Sequence, residues 1–390
     1  MVKLSLPCRG FVCALEPTVF DRELGFTQEC ATFEATAALG SLTPTLRKQV
    51  HRPQQGHGRE PRSSMHRHYH GALLVCQKCC KEYSRFSRLP AVGSVKGCCN
   101  LTTHTRASRQ MLRERVANNI YVFTSEMYAQ VTAGAIVTSA GAVVIDTLPY
   151  PAETRQIAQF IEERHGIPVR YVINTHYHAD HTNGTCFFRH ARVVSHRLCR
   201  ELLVSRGKVA LDKARKSSRD MSDVTLVLPN LIFDDGLLKL HVGGVTLELS
   251  HVPGHSPDSI MCLVSEERVL FAADTLMPLP FFADGSYDDY VATLKSLLPE
   301  SFENVIQGHG EVILRGEVRE KIEEDLHYLR IIRTKVEDII NRNKPPEALE
   351  RIDIEACGKS RIPLNGLVQN LHRKNIQALY STLKLAQNPS

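Results

Sequence analysis

Residues 111–390 are predicted to fold as a mixed α/β structure, on three observations. Short runs rich in β-branched residues recur along them, helical apolar spacing appears between those runs, and glycines mark the joints. "NIYVFT" (119–124) reads as a strand, and "GAIVTSAGAVVIDT" (134–147) as a hairpin turning at Ser139-Ala140-Gly141. "PAETRQIAQFIEERHG" (151–166) places Ile157, Phe160 and Ile161 at helical spacing and stops at Gly166. "VRYVINTH" (169–176) is the next strand, followed by "ARVVSH" as a strand and "RLCRELLVSRG" as a helix. "LIFDDGLLKLHVGGVTLELSHV" reads as a hairpin series with turns at Gly236 and Gly243-Gly244, and "SIMCLVSEERVLFAADT" as a further hairpin. A helix over "DDYVATLKSLL", a strand over "NVIQGHG" and a long amphipathic helix from Glu317 to Asn343 complete the order.

With 390 residues, 43% of them hydrophobic and 23% charged, the chain can bury a substantial core and form one large or two ordinary domains. No apolar run is long enough to cross a bilayer, and Pro7, Arg9 and Glu16 interrupt the opening before a signal-peptide core could form. A cytoplasmic location is the expectation, with no membrane partner. Charge is unevenly spread: residues 1–110 hold 16 Lys/Arg against 7 Asp/Glu, a net +9, whereas residues 111–390 hold 32 against 35, a net −3. A nucleic-acid surface is therefore not expected on residues 111–390.

Residues 1–110 show neither a helical nor a strand period across Pro44 to His70, and their Arg, His, Gln, Pro and Ser content suits a disordered basic extension. Cys76 and Cys79 have zinc-knuckle spacing, but the adjacent Cys98 and Cys99 could hardly both reach the same tetrahedral ion. The division expected is an extension over 1–110, a catalytic domain over 111–315 and a helical segment over 316–390. The helix from Glu317 is expected to cover the site or to form a homodimer contact.

The chemistry concentrates in "THYHADH" (175–181), where His176, His178, Asp180 and His181 follow a predicted strand. Loops at the carboxyl ends of strands are where ligands collect in α/β folds. Imidazoles and a carboxylate at this density suit zinc or another first-row metal. A single ion cannot easily use all four: His176 and His178 can project together, while Asp180 and His181 lie beyond a bend. Three further strand ends carry a ligand type: His255 in a Pro-Gly turn, Asp274 after "VLFAA", and His309 between two glycines. Taken singly, His165, His190, His196, His241, His327 and His372 read as surface or satisfied core residues. His251 shares "HVPGH" with His255, and His255 is preferred because it follows the turn. Tyr177 could donate to a developing oxyanion or pack over the loop, and Phe281 and Phe282 could line a substrate mouth or be buried.

These ordered elements, "THYHADH" followed by His255, Asp274 and His309, resemble the metallo-β-lactamase fold superfamily over about residues 119–315. The resemblance implies an αββα four-layer sandwich with a metal centre along one edge. It also implies two ions per chain, zinc first, with iron or manganese as alternatives. His176, His178 and His255 would hold one, Asp180, His181 and His309 the other, and Asp274 would bridge them. A hydroxide shared by the ions would be the nucleophile, with Asp180 ligating and orienting it.

Departures narrow the branch. Histidine at 178 instead of glutamate disfavours flavodiiron oxygen reductases, and Asp274 disfavours true β-lactamases. What remains resembles hydroxyacylglutathione hydrolase and the lactonases, although residues 321–390 carry no recognisable glutathione pattern. The expected function is hydrolysis of an ester, thioester, lactone or related bond in a small-molecule substrate. The rival is a mononuclear iron persulfide dioxygenase on the same fold, and metal analysis discriminates the two.

Overall fold

The computed structural model describes residues 33–36, 111–234 and 236–387. The expectations for the basic extension and its cysteines, apart from residues 33–36, lie outside the described residues. Two seven-stranded sheets form, each drawn almost wholly from a contiguous stretch of chain. One sheet runs in spatial order β2 (Leu112–Ala117), β3 (Ile120–Thr124), β4 (Thr132–Thr138), β5 (Gly141–Ile145), β6 (Val169–Ile173), β7 (Arg192–His196) and β8 (Leu231–Phe233). It is antiparallel as far as β5 and parallel from β5 to β8. The other places β1 (Phe33–Thr36) beside β9 (Leu237–Val242), then β10 (Val245–His251), β11 (Ile260–Val264), β12 (Val269–Ala273), β13 (Asn304–Gln307) and β14 (Ile313–Leu314). Only β12 and β13 are parallel there.

Successive strand residues point to opposite faces, and the cores follow that alternation. Val143 and Ile145 of β5 turn toward the second sheet and pack with Leu238, Leu240, Val269 and Phe271. Ala142 and Val144 turn outward, onto Ile157 and Ile161 of α1 (Pro151–His165). On the far side, Leu270 and Ala272 of β12 share a core with Tyr290 and Leu294 of α5 (Tyr287–Leu297). The same core takes Ile322 and Leu329 of α6 (Val318–Asn341), and Val368 and Ile376 of α7 (Leu367–Gln387). Helix, sheet, sheet and helix therefore stack as four layers. α1 starts with Pro151 at its first turn and ends at Gly166, whose φ of +64° lets its N–H reach Glu162 O.

Three elements depart from the sequence expectation. Leu231–Phe233 pairs in parallel with β7 and not with β9, so the turn at Gly236 is a crossing between sheets. The helix after β7 is longer than expected: α3 (Arg197–Leu202) runs through a π turn at Leu203–Gly207 into α4 (Lys208–Ser217). Strand β2 precedes the first expected strand. No helix among the described residues is long and apolar enough to cross a membrane.

Candidate metal centre

Strand β6 delivers the first donors. After Ile173, Asn174 and Thr175 remain tied to the sheet, Asn174 N–H to Val194 O and Thr175 O to Ile260 N–H. The chain then turns, His178 standing just before the short helix α2 (Ala179–Thr182) that carries Asp180 and His181. His255 follows β10, Asp274 follows β12 and His309 follows β13. A residue with positive φ stands just after β5, Asp146 at +54°, and another closes β12, Ala273 at +46°, and the chain turns sharply at both points.

All seven expected donors converge. His176 Nε2 and His255 Nε2 each stand 3.0 Å from His178 Nδ1. Asp274 lies between the two groups, with Oδ2 at 3.3 Å from His255 Nε2 and Oδ1 at 3.2 Å from His181 Nε2. His309 Nε2 completes the second group, 3.4 Å from Asp180 Oδ2 and 3.5 Å from Asp274 Oδ2. Donors around a tetrahedral ion with zinc–nitrogen bonds of usual length stand about 3.3 Å apart. The spacings therefore suit a coordination shell.

The outer ring nitrogens settle which atoms face inward. Asp146 Oδ2 accepts from His181 Nδ1 at 2.8 Å, Phe281 O from His255 Nδ1 at 2.8 Å, and Ala129 O from His309 Nδ1 at 2.9 Å. The Thr175 hydroxyl donates to Asp146 at 2.7 Å, which leaves its oxygen to accept from His176 Nδ1 at 3.1 Å. Asp284 Oδ2 stands 3.2 Å from His178 Nε2. Every imidazole thus has an acceptor at its outer nitrogen and turns its other nitrogen inward, the orientation a metal requires. Inside the cluster His181 Nε2 and Asp274 Oδ1 are buried and face each other at 3.2 Å without hydrogen-bond geometry. Buried polar atoms left so are rare, and the nitrogen and carboxylate donor set fits divalent metal ions.

Electrostatics divides the two groups. Burial, together with the neighbouring imidazoles, holds His176 well below the usual histidine range and lowers His255 to about 4. For His309 burial acts in the same direction, but the Asp274 and Asp180 carboxylates outweigh it and raise the group to about 10. Burial would raise Asp180 and Asp274, yet the imidazoles around them hold both below the ordinary carboxylate range.

A cleft of about 440 Å³ opens over the cluster, and Tyr128, Tyr177, Arg206 and Phe281 are among its lining residues. Tyr177 donates to Asp284, and Arg206 reaches both, at 2.9 Å from Asp284 Oδ1 and 3.2 Å from the Tyr177 hydroxyl. Phe282, by contrast, is 3% exposed and packs edge-on against Tyr287. His251 stacks on His196 with ring centroids 3.9 Å apart, away from the donors. Sequence reasoning missed Asp146, Asp284, Arg206 and Tyr128. Only Asp146 carried a signal, because it closes the apolar run "GAVVID" as Asp274 closes "VLFAAD".

The family model described as metallo-beta-lactamase superfamily matches residues 128–316. The beta-lactamase-like protein 2 homolog of Caenorhabditis elegans is 25% identical over 186 residues, covering 48% of this chain and 56% of that protein. A linear primary-alkylsulfatase of Pseudomonas sp. is 24% identical, covering 55% and 48%. The cytoplasmic hydroxyacylglutathione hydrolase of Saccharomyces cerevisiae is 28% identical, covering 32% and 41%. The chain spans about half the length of the curated relatives it matches. Among solved structures, an inverting sec-alkylsulfatase from Pseudomonas sp. shares the fold with a TM-score of 0.56 at 17% identity, over 69% of this chain and 50% of that one. Residues 128–316, which hold all seven donors, carry the pattern of the metallo-beta-lactamase superfamily.

Proposed function

We propose that the chain is a metal-dependent hydrolase that cleaves an ester, thioester, lactone or related bond of a small molecule, with zinc at both donor groups. The observation that carries this reading is the sharing of Asp274 between two complete donor groups, His176/His178/His255 and Asp180/His181/His309. The hydrolases among its relatives, an alkylsulfatase and a hydroxyacylglutathione hydrolase, support the reaction type. Two divalent ions held there would supply Lewis acidity and a water of lowered pKa.

The chain's own residues contribute the rest. Asp180, held ionised by His181 and His309, is positioned to accept a hydrogen bond from the attacking water and orient it. Asp146 and Asp284 hold His181 and His178 in their inward tautomers. Tyr128, beside the Asp180 carboxylate that raises its phenol to about 12, stays protonated and can donate toward a developing oxyanion.

Elemental analysis of the purified chain, with a screen of chromogenic esters, thioesters, lactones and phosphodiesters, tests the proposal. About two zinc ions per chain and turnover of one of these classes are expected. A single iron with oxygen uptake on glutathione persulfide would replace the hydrolase by a dioxygenase. Asp180→Asn is expected to lower kcat by about a hundredfold or more with an unchanged circular dichroism spectrum. Near-normal turnover in that variant would remove Asp180 from its role.

A further inference from the structure

The floor of the cleft is polar, and its sides mix aliphatic with polar side chains. Leu203, Arg206, Gly207 and Ala210 reach it from the segment that runs α3 through the π turn into α4. Leu367, Asn370, Leu371 and Lys374 reach it from α7. Both sets fall at i, i+3, i+4 and i+7, the spacing of one helix face. Two helical faces, each presenting aliphatic side chains, therefore wall the space above the donors. The aliphatic side chains among them, Leu203, Ala210, Leu367 and Leu371, are stabilised by covering apolar surface. Exposed apolar groups occur outside the cleft lining on the same segments: Val204 and Val209 are 57% and 69% exposed, and Ile362, two residues before the cleft residue Leu364, is 77% exposed.

The charges of the walls are not balanced alike. Arg206 is matched by Asp284 at 2.9 Å. Lys374 lines the same cleft and makes no ion pair or hydrogen bond among the described residues. An ammonium without a carboxylate, on an aliphatic helix face, is a point charge open to an anion of the ligand.

We infer that the substrate is an amphiphilic ester, whose apolar chain lies along the Leu203 and Leu371 walls and whose anionic group, remote from the scissile bond, pairs with Lys374. This rests on the hydrolase reading for the bond that is cut, while the walls and Lys374 carry the remainder. Hydrolysis consumes one water, breaks the acyl carbon–oxygen bond, and yields a carboxylate, an alcohol and a proton.

The test compares kcat/KM of the zinc-loaded full chain on mono-4-nitrophenyl suberate, which is anionic, with that on 4-nitrophenyl octanoate, which is neutral and of equal length. The suberate ester is expected to be preferred. Lys374→Gln is expected to lower the suberate-to-octanoate ratio about fivefold, the upper end for an exposed ion pair, through KM, with Lys374→Arg restoring it. A ratio unchanged in Lys374→Gln overturns the inference. If the wild type cleaves neither ester, the hydrolase reading fails separately, and the inference is read from calorimetric binding of suberic acid monoamide. Binding about fivefold weaker in Lys374→Gln supports it, and equal affinity overturns it.

Discussion

His309 illustrates how single residues set the behaviour of the site. In the metal-free chain it keeps its second proton up to about pH 10, whereas His255 has lost its own above about 4. A group whose pKa is raised by folding stabilises the metal-free fold fully below its ordinary 6.5 and loses that contribution as pH climbs through about 10. A ligand must be deprotonated to bind, so filling the second group, where neighbouring carboxylates raise His181 as well as His309, expels protons that the first group need not expel. Zinc titration calorimetry in buffers of differing ionisation heat is expected to show proton release with the weaker equivalent, whose affinity tightens from pH 6.5 toward 10. PH-independent uptake of both equivalents would contradict this. Asp146→Ala, which frees His181 to rotate, should weaken metal affinity about 10- to 100-fold in a competition assay with a chromogenic chelator. Gly308 has a different reason for its identity: a Cβ there would meet Asp274 Oδ1 at 1.8 Å and the Ala273 backbone at 2.7 Å. All seven donors were legible because four crowd into "THYHADH" behind a strand and three, His255, Asp274 and His309, follow later strands in an order that resembles the superfamily. Asp284 and Arg206 were not, because their roles arise only where a loop and a π turn meet in space.

Helix α6 carries a buried charge that the sequence hides inside an ordinary amphipathic pattern. Asp325, fully buried, lies 2.6 Å from Lys321 Nζ and 2.9 Å from Lys359 Nζ, and Lys321 also donates to Met277 O at 2.7 Å. Removing one partner of such a cluster leaves uncompensated charge in the interior. Asp325→Ala is expected to cost about 3–5 kcal/mol in urea unfolding, whereas an exposed pair such as Arg319–Glu323 should cost under about 1 kcal/mol. At this scale periodicity served well wherever an element has one buried face, as in α1, α5 and α6. It failed for β8, whose three residues are all partly exposed, so no alternation tells which sheet they join. It also could not tell that α7 offers one flank to the core and another to the cleft, since apolar spacing is the same for both.

Across the whole molecule, the helix, sheet, sheet, helix order was reached through resemblance and not from patterning alone, because stacking of sheets leaves no local trace. The turn that carries His309 ties those layers together. Val131 bridges to His309, Thr132 N–H donates to Gly308 O at 2.8 Å, and Gly310 N–H to Gln130 O at 2.9 Å, so the first sheet clasps the His309 turn of the second. Ions that bind only the folded chain raise its stability by mass action. Chelation is therefore expected to lower Tm, by about 2.7 kcal/mol of stability where free zinc had stood at a hundred times its Kd, as differential scanning calorimetry would measure.

The division of each sheet into its own contiguous stretch has one more consequence. Four of the donors, His176, His178, Asp180 and His181, precede the crossing at residues 234–236, and His255, Asp274 and His309 follow it. Two polypeptides severed at that crossing would each hold an incomplete set of ligands. Mixed together, they should find one another through the apolar faces between the sheets and lock when zinc is added, with the ion tightening their reassembly by about tenfold or more, roughly 1.4 kcal/mol. The centre would then act as a molecular latch between complementary fragments.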